Sequence, residues 1–413
     1  MIGGAALSAN RKGFDRRPFR RLWASTAAGN LGDGVLIVSL VIGALDAGGA
    51  LGASLMVGSL RVPGVVLAPA IGAFVDRYDE VLLIRGAALA RTAVCGVLAA
   101  LAAVGEIELF GLLGGAMLLA SIELVVDIAS QVHVPEVVDE SELISANGRI
   151  QSTQLVLNEF VGPVLGGALI GLSFATSLGV VAVLFGSSGL LALALARSGS
   201  PEPTEAPSIM RAVNEGLGFL RRQPTLRALL RTAAVFNLAA GALLSLVPGY
   251  LTDEKGLASA AGLYGVTLAV VAACGTFASL IIARLSRRLG PRNSLVVAAG
   301  VAVSGMLVAL VPETWVFMAA LGAIGWGAVA WNVVNVSIRQ AIVERSMLGK
   351  VSASFRAVGL ALYPVGAVIG GGLATRFGYA VPFVGCLVCF SGALVSTVAT
   401  PIPEEAEAKL RAT

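Results

Sequence analysis

Residues 197–222 read RSGSPEPTEAPSIMRAVNEGLGFLRR, and this stretch divides the chain. Its first part, 197–207, is a polar, turn-rich linker. In its second part, 208–222, Ile209, Val213, Leu217 and Leu220 recur at helical spacing, with Arg211, Glu215 and Arg222 elsewhere. That is the pattern of an amphipathic helix lying on a membrane surface. On both sides the chain is a succession of long apolar runs that end in charges or turn residues. Before the linker they cover 20–45, 50–75, 82–104, 109–134, 145–171 and 174–196; after it, 226–250, 259–284, 293–311, 315–340, 350–375 and 379–400. Each is close to or longer than the ~20 residues that cross a ~30 Å hydrocarbon core. The expectation is an all-α membrane protein with twelve transmembrane helices in two pseudo-symmetric six-helix bundles. The first bundle occupies 1–196, the linker and its helix 197–224, and the second bundle with its tail 225–413.

Composition agrees. Hydrophobic residues are 56% and charged residues 13% of the chain, against ~45–50% and ~25% in soluble domains. The runs are continuous, which excludes the short alternating segments of a β-barrel. Most of the 29 Lys and Arg residues fall at the termini, in the linker or in loops on one side: Arg11 to Arg21, Arg77, Arg85, Arg284 to Arg292, and Arg339 to Lys350. The opposite loops hold Lys255 and Arg376. Basic loops stay in the cytoplasm, so both termini are expected there. The net charge of +4 is then a topology signal, and nucleic acid is not an expected partner. Richness in Ala, Gly, Val and Arg points to a GC-rich bacterial source, and the expected location is a bacterial inner membrane. No cleavable signal peptide is expected, because the first apolar run is full length and follows the basic segment. Cys95, Cys274, Cys386 and Cys389 lie within spans and read as small packing residues. His133 is the single histidine, so neither a metal site nor a Ser/His/Asp set is expected. No phosphate loop or H-E-x-x-H occurs, and neither an enzyme nor a cofactor is expected.

The two halves share a pattern. Thr26-Ala27-Ala28 with Asn30-Leu31 and Gly34 matches Thr232-Ala233-Ala234 with Asn237-Leu238 and Gly241. Gly148, Pro163 and Gly171 match Gly349, Pro364 and Gly372. Two parallel six-span repeats place a binding site near the midplane between them. Gly72 with Asp76-Arg77, between spans two and three, resembles the G-x-x-x-D-R loop of major facilitators. Gly162-Pro163 with Gly166-Gly167 resembles the G-P-x-x-G-G motif of their proton-driven antiporters. Phe19-Arg20-Arg21-Leu22-Trp23 leading to Leu31-Gly32-Asp33, Ala146-Asn147-Gly148, and Glu215-Gly216 running to Gln223-Pro224 resemble the drug-efflux and enterobactin-exporter branch. That resemblance covers nearly the whole chain. It implies export of amphipathic small molecules, drugs or siderophores, against proton entry, by a functional monomer. Asp79 and Glu80 stand where the family loop is usually basic, and span four lacks the Arg that many such antiporters carry.

A charge at the bilayer centre costs at least ~2.5–3.5 kcal/mol, so such residues need partners or a wet cavity. At ~1.5 Å per helical residue, Asp33, Arg61, Glu123 and Glu159 lie roughly 18–22 Å along their spans, with Asp127 about one turn from Glu123. These five are the expected proton-coupling residues. Burial favours the neutral form of a carboxylate and a nearby guanidinium its charged form. An Arg that approaches and leaves therefore makes a carboxylate release and bind a proton, and Arg61 is the expected partner of Asp33. Asn30, Asn237, Trp326, Trp331, Asn332, Asn335 and Tyr363 supply amides and aromatic faces suited to a large amphipathic ligand. Gly72, Asp76, Arg77, Glu136, Gly162, Pro163, Gly166 and Gly167 are expected to serve gating. By family likeness Asp76 meets the start of span eleven near Gly349, and Glu136 accepts Arg77. Import or uniport of a small nutrient is the alternative, and a non-transporting sensor or enzyme the second alternative.

Overall fold

The computed structural model describes residues 17–75, 77–139, 142–195, 209–404 and 407–408. Its elements are α1 (Arg17–Val66), α2 (Ala68–Val75), α3 (Glu80–Val104), α4 (Leu109–Val137), α5 (Leu143–Gln154), a π-helical turn (Leu155–Val161), α6 (Gly162–Ile170) and α7 (Phe174–Ala192) in the first half. The second half holds α8 (Ile209–Arg222), α9 (Pro224–Lys255), α10 (Leu257–Leu289), α11 (Pro291–Val308), α12 (Thr314–Ile342), α13 (Arg345–Phe377) and α14 (Ala380–Val398). Among the described residues, 11 helices are long and apolar enough to cross a membrane. The first of them is two. At ~1.5 Å per residue α1 would be ~75 Å long, and it breaks at Gly48 and Gly49, whose backbones are not helical. Gly49 has φ 59 and ψ −155, a region open essentially to glycine. That break turns span one into span two, so twelve spans result. Span five is α5, the π-turn and α6 together.

Many large apolar side chains stay on the outer surface, among them Phe110, Leu172, Val183, Leu190, Leu280 and Val388. In lipid these need no protein partner, and helices apolar all round are the expected solution. Buried contacts instead use small residues. A Cβ at Gly162 would lie 2.5 Å from the Gly34 Cα, so spans five and one touch backbone to backbone. The repeat reproduces that contact between Gly241 of span seven and Tyr363 of span eleven.

The halves meet along two seams with the same logic. Gly58 of span two faces Pro364 of span eleven, and Gly265 of span eight faces Pro163 of span five. The numbers 58 and 265 differ by 207, and 163 and 364 by 201, the offsets at which the sequence repeats. Further from the termini, Gly371 packs on Ser54, and a Cβ at Gly167 would come within 2.5 Å of the Ala261 oxygen. One apolar cluster runs through both halves here, from Val35, Leu40 and Met56 to Leu246, Ala261 and Phe383. At the end that carries the termini the core is split. Phe19, Ile84 and Val134 form one cluster in the first half; Leu226, Trp331 and Phe355 form another in the second. Buried apolar contact between the halves is therefore continuous at the end of the Gly48–Gly49 break and interrupted at the end where α1 begins and α14 ends.

The linker helix belongs to the second half. Leu220 is buried against the cluster of Leu226 and Val351, Glu215 pairs with Lys350, and Gly216 lies against the Lys350 carbonyl and Ser354.

Candidate functional site

Two cavities open inside the bundle. A central one of about 540 Å³ lies between the halves, and a polar one of about 360 Å³ lies within the first half toward the termini. Their walls share Asp33. The polar chamber is lined by Asn30, Asn147, Gln151 and Gln154, by Asp127 and Arg91, and by Arg356 across the gap. Aliphatic side chains such as Val57, Leu244 and Val271 wall the central chamber, together with Arg61, Glu123, Glu159, Tyr264 and Tyr363.

At the junction Asp33 forms an ion pair with Arg91 of span three. Arg91 is 3% exposed, and its guanidinium carbon sits 3.7 Å from the centroid of the Phe185 ring. Glu123 and Asp127 of span four also lie within its electrostatic reach. One buried cation thus faces three carboxylates. Such a cluster is costly in lipid and persists only where charges compensate one another. Span six holds the frame: Ser188 and Ser177 hydrogen-bond Ser25 and Ser39 of span one, and Gly32 lies against Phe185.

The expected partnership of Asp33 with Arg61 is therefore corrected. Arg61 instead lies over the Tyr363 ring, 5.6 Å from its centroid, on the span two to span eleven seam. Helical rise had placed both residues at mid-depth, but rise leaves open which neighbour a side chain faces. Arg91 was missed, although a second Arg six residues beyond Arg85, deeper in span three, was a visible signal. Tyr264 was missed as well, because one tyrosine in an apolar span has no distinguishing pattern.

Glu159 reaches the central chamber through local backbone chemistry. Pro163 has no N–H to offer the Glu159 carbonyl, and the Gly162 N–H bonds the Leu157 oxygen, one residue beyond α-helical spacing. The resulting π-turn presents Leu155, Asn158 and Glu159 to the cavity, in keeping with the frequent place of such turns at functional sites.

The ligand residues expected on the second half separate. Tyr363 lines the central chamber and Asn30 the polar one. Trp331 is 4% exposed; its indole N–H meets Thr397 Oγ1 at 3.3 Å and its ring stacks on Phe236. Trp326 packs on the same cluster, Asn335 is fully buried, and Asn332 is exposed. Asn237 donates to the Ala233 oxygen at 2.9 Å, as its repeat partner Asn30 does to Thr26 at 2.8 Å. Trp326, Trp331, Asn332, Asn335 and Asn237 line neither chamber. Trp331 thus fills the space between spans ten, seven and twelve, away from both chambers.

Among the gating residues, Gly162 and Gly166 bring span five onto span one, while Pro163 and Gly167 touch span eight across the seam. Gly72 has open space around it. Arg77 and Glu136 are both exposed and make no ion pair among the described residues, so that expected contact is corrected. Asp76 lies outside the described residues. His133, which offered no ligand set in the sequence, has a buried partner: its Nδ1 is 3.0 Å from Glu80 Oε1. The acid that departs from the family loop is thus the one that meets the histidine. Asp79 beside it caps α3 by accepting from the Leu82 N–H.

Six spans and six spans around a midplane cavity, with charge buried beside it, define a membrane transporter of the major facilitator type. The fold recurs in solved structures. The nucleoside transporter NupG has a TM-score of 0.71 at 12% identity, covering 93% of this chain and 98% of that one. A bacterial homologue of the human lysosomal transporter Spinster, inward-facing and unoccupied, has 0.70 at 17%, covering 96% and 99%. A bacterial homologue of the iron transporter ferroportin, also inward-facing, has 0.69 at 16%, covering 92% and 98%. In sequence, an uncharacterized MFS-type transporter, y4rN, of Sinorhizobium fredii (strain NBRC 101917 / NGR234) is 24% identical over 342 residues, 76% of this chain and 78% of that protein. The chain belongs to the family described as transmembrane secretion effector, which matches residues 11–412.

Proposed function

We propose that this transporter is a proton-coupled exporter of amphipathic small molecules, working by alternating access in a bacterial inner membrane with both termini cytoplasmic. The observation that carries the reading is the Asp33–Arg91 pair at the junction of the two chambers, with Glu123 and Asp127 beside it. A guanidinium shared among several carboxylates cannot neutralise all of them, so at least one is available to take a proton. Asp33 touches both chambers and can therefore report substrate arrival to the polar one. With the termini in the cytoplasm, the parted end of the bundle opens inward, where an exporter collects its load. The seam glycines let spans two and eleven, and five and eight, slide while the halves rock. Asp33, Arg91, Glu123 and Asp127 are the coupling group of this proposal, and the chain acts as a monomer.

Import is the second reading, since a D-xylose–proton symporter shares the fold with a TM-score of 0.67. Proteoliposomes separate the two. An imposed proton gradient drives an amphipathic dye against the proton flow in antiport and with it in symport. Movement with the protons overturns export by antiport, and movement indifferent to the gradient points to uniport.

A further inference from the structure

The central chamber holds two charges that the Asp33–Arg91 cluster does not use. Arg61 of span two and Glu159 of span five are both exposed to the cavity, and neither belongs to an ion pair among the described residues. They are not in salt-bridge contact with each other, yet both lie within electrostatic reach of the same residue, Tyr363. Tyr264 is close to Arg61 as well. Asp33 is held by Arg91, and Glu123 also lies in the field of Arg91, so Arg61 and Glu159 are the pair left facing the chamber. A cation and an anion that face one cavity inside the membrane without an ion partner each favour a ligand group of opposite charge. The same chamber is lined by apolar Val57, Leu60, Leu244 and Val271, beside polar Asn158, Thr276 and Ser279. A volume of about 540 Å³ suits a drug-sized ligand.

We propose that the central chamber selects an amphipathic zwitterion, its acidic group held by Arg61 and its basic group by Glu159, with its apolar body along Val57, Leu60, Leu244 and Val271. The inference rests on the transporter reading for its purpose and on the cavity alone for its chemistry. Such a ligand is either a small amino acid–like molecule or the zwitterionic headgroup of a phospholipid.

The test uses the full chain in lipid nanodiscs and three probes built on one ring system. They are 2-naphthylalanine (zwitterion), its N-acetyl derivative (anion) and 2-naphthylethylamine (cation), with dihexanoyl phosphatidylethanolamine as the lipid arm. Calorimetry should show the zwitterion binding about tenfold more tightly than either singly charged probe. Arg61→Gln should lower the zwitterion to the level of the amine, and Glu159→Gln to that of the N-acetyl acid. Arg61→Lys should recover part of the loss, which separates a charge requirement from misfolding. Tighter binding of the short-chain lipid than of 2-naphthylalanine assigns the site to a headgroup, and the reverse assigns it to a small molecule; either supports the site. Singly charged probes binding as well as the zwitterion, variants that leave the ranking unchanged, or no zwitterion binding to the wild type overturns it. Arg61-dependent binding without transport in proteoliposomes refutes the transport reading and leaves the site standing; transport indifferent to Arg61 does the opposite.

Discussion

Spans four and ten occupy matching places in the two halves, and an offset of 206 (133 to 339) aligns several of their buried positions. Leu112, Ala116, Ala129 and His133 correspond to Met318, Gly322, Asn335 and Arg339, all buried. At the same offset Glu123 and Asp127 correspond to Val329 and Val333. Span one carries Asp33 where span seven has Ala240. The second half fills its interior with rings instead: Phe236 with Trp331 and Phe390, and Tyr250 with Phe317 and Phe383. Even its buried Arg339 lies over a ring, 4.1 Å from the Phe355 centroid, where His133 has a carboxylate. The shared burial pattern is what the fold requires. The carboxylates found on one side only lie outside that shared pattern, which is why the proposed coupling group belongs to the first half.

The largest expected effect tests that asymmetry. Asp33→Asn should lower proton-driven transport on the order of 100-fold, as loss of a positioned proton-transfer group does, measured as dye flux in proteoliposomes. Trp331→Ala, the matching test on the ring-filled interior of the second half, should destabilise the protein by roughly 3–5 kcal/mol through the cavity it leaves, while the surviving folded fraction keeps its substrate range. A change of substrate range without loss of stability would place Trp331 at the ligand after all and break the comparison.

Removal of the buried cation comes next. Arg91→Ala leaves Asp33 in the membrane interior without its partner, and breaking a buried pair from one side costs about 3–5 kcal/mol. Thermal unfolding in detergent should show the drop, and the Asp33→Asn, Arg91→Gln double variant should recover most of it without recovering proton-driven transport. Recovery of both would make the pair a strut between spans one and three and nothing more.

The seams sharpen the comparison at a smaller scale. Gly265→Ala would push a methyl into the Pro163 carbonyl, whereas at the repeat-related Gly58 the nearest atom, the Pro364 oxygen, stands 3.4 Å from the added carbon. Gly265→Ala should therefore loosen the closed end and slow transport several-fold, with Gly58→Ala near wild type. Cysteine labelling at the closed end would report the difference. The smallest effect is expected at the linker helix. Glu215 and Lys350 are more than a third exposed, so Lys350→Gln should change stability by no more than ~1 kcal/mol.

The spans, the midpoint and the repeat were legible because each is written locally, in run length, in a polar break and in recurring Asn, Pro and Gly. A charge in an apolar run calls for a cavity or a partner, and that much was legible. Asp33, Glu123, Asp127, Arg61 and Glu159 all face cavities for that reason. Their pairing was not legible. Distance along a helix follows from the rise per residue, but the partner depends on helix rotation, and rotation is set by contacts such as Gly32 against Phe185 and Gly34 against Gly162. Trp326, Trp331 and Asn335 misled for a related reason. Amphipathic side chains suit a ligand site and a helix–helix core equally well, and only packing decides between them.

Proton release from the purified protein on adding a bound amphipathic compound tests the central claim most directly, with wild type and Asp33→Asn compared side by side in detergent. Release by the wild type that vanishes in the variant is the result expected if proton coupling resides in the charged cluster of the first half. Equal release from both, or none from a wild type shown independently to bind the compound, would contradict it.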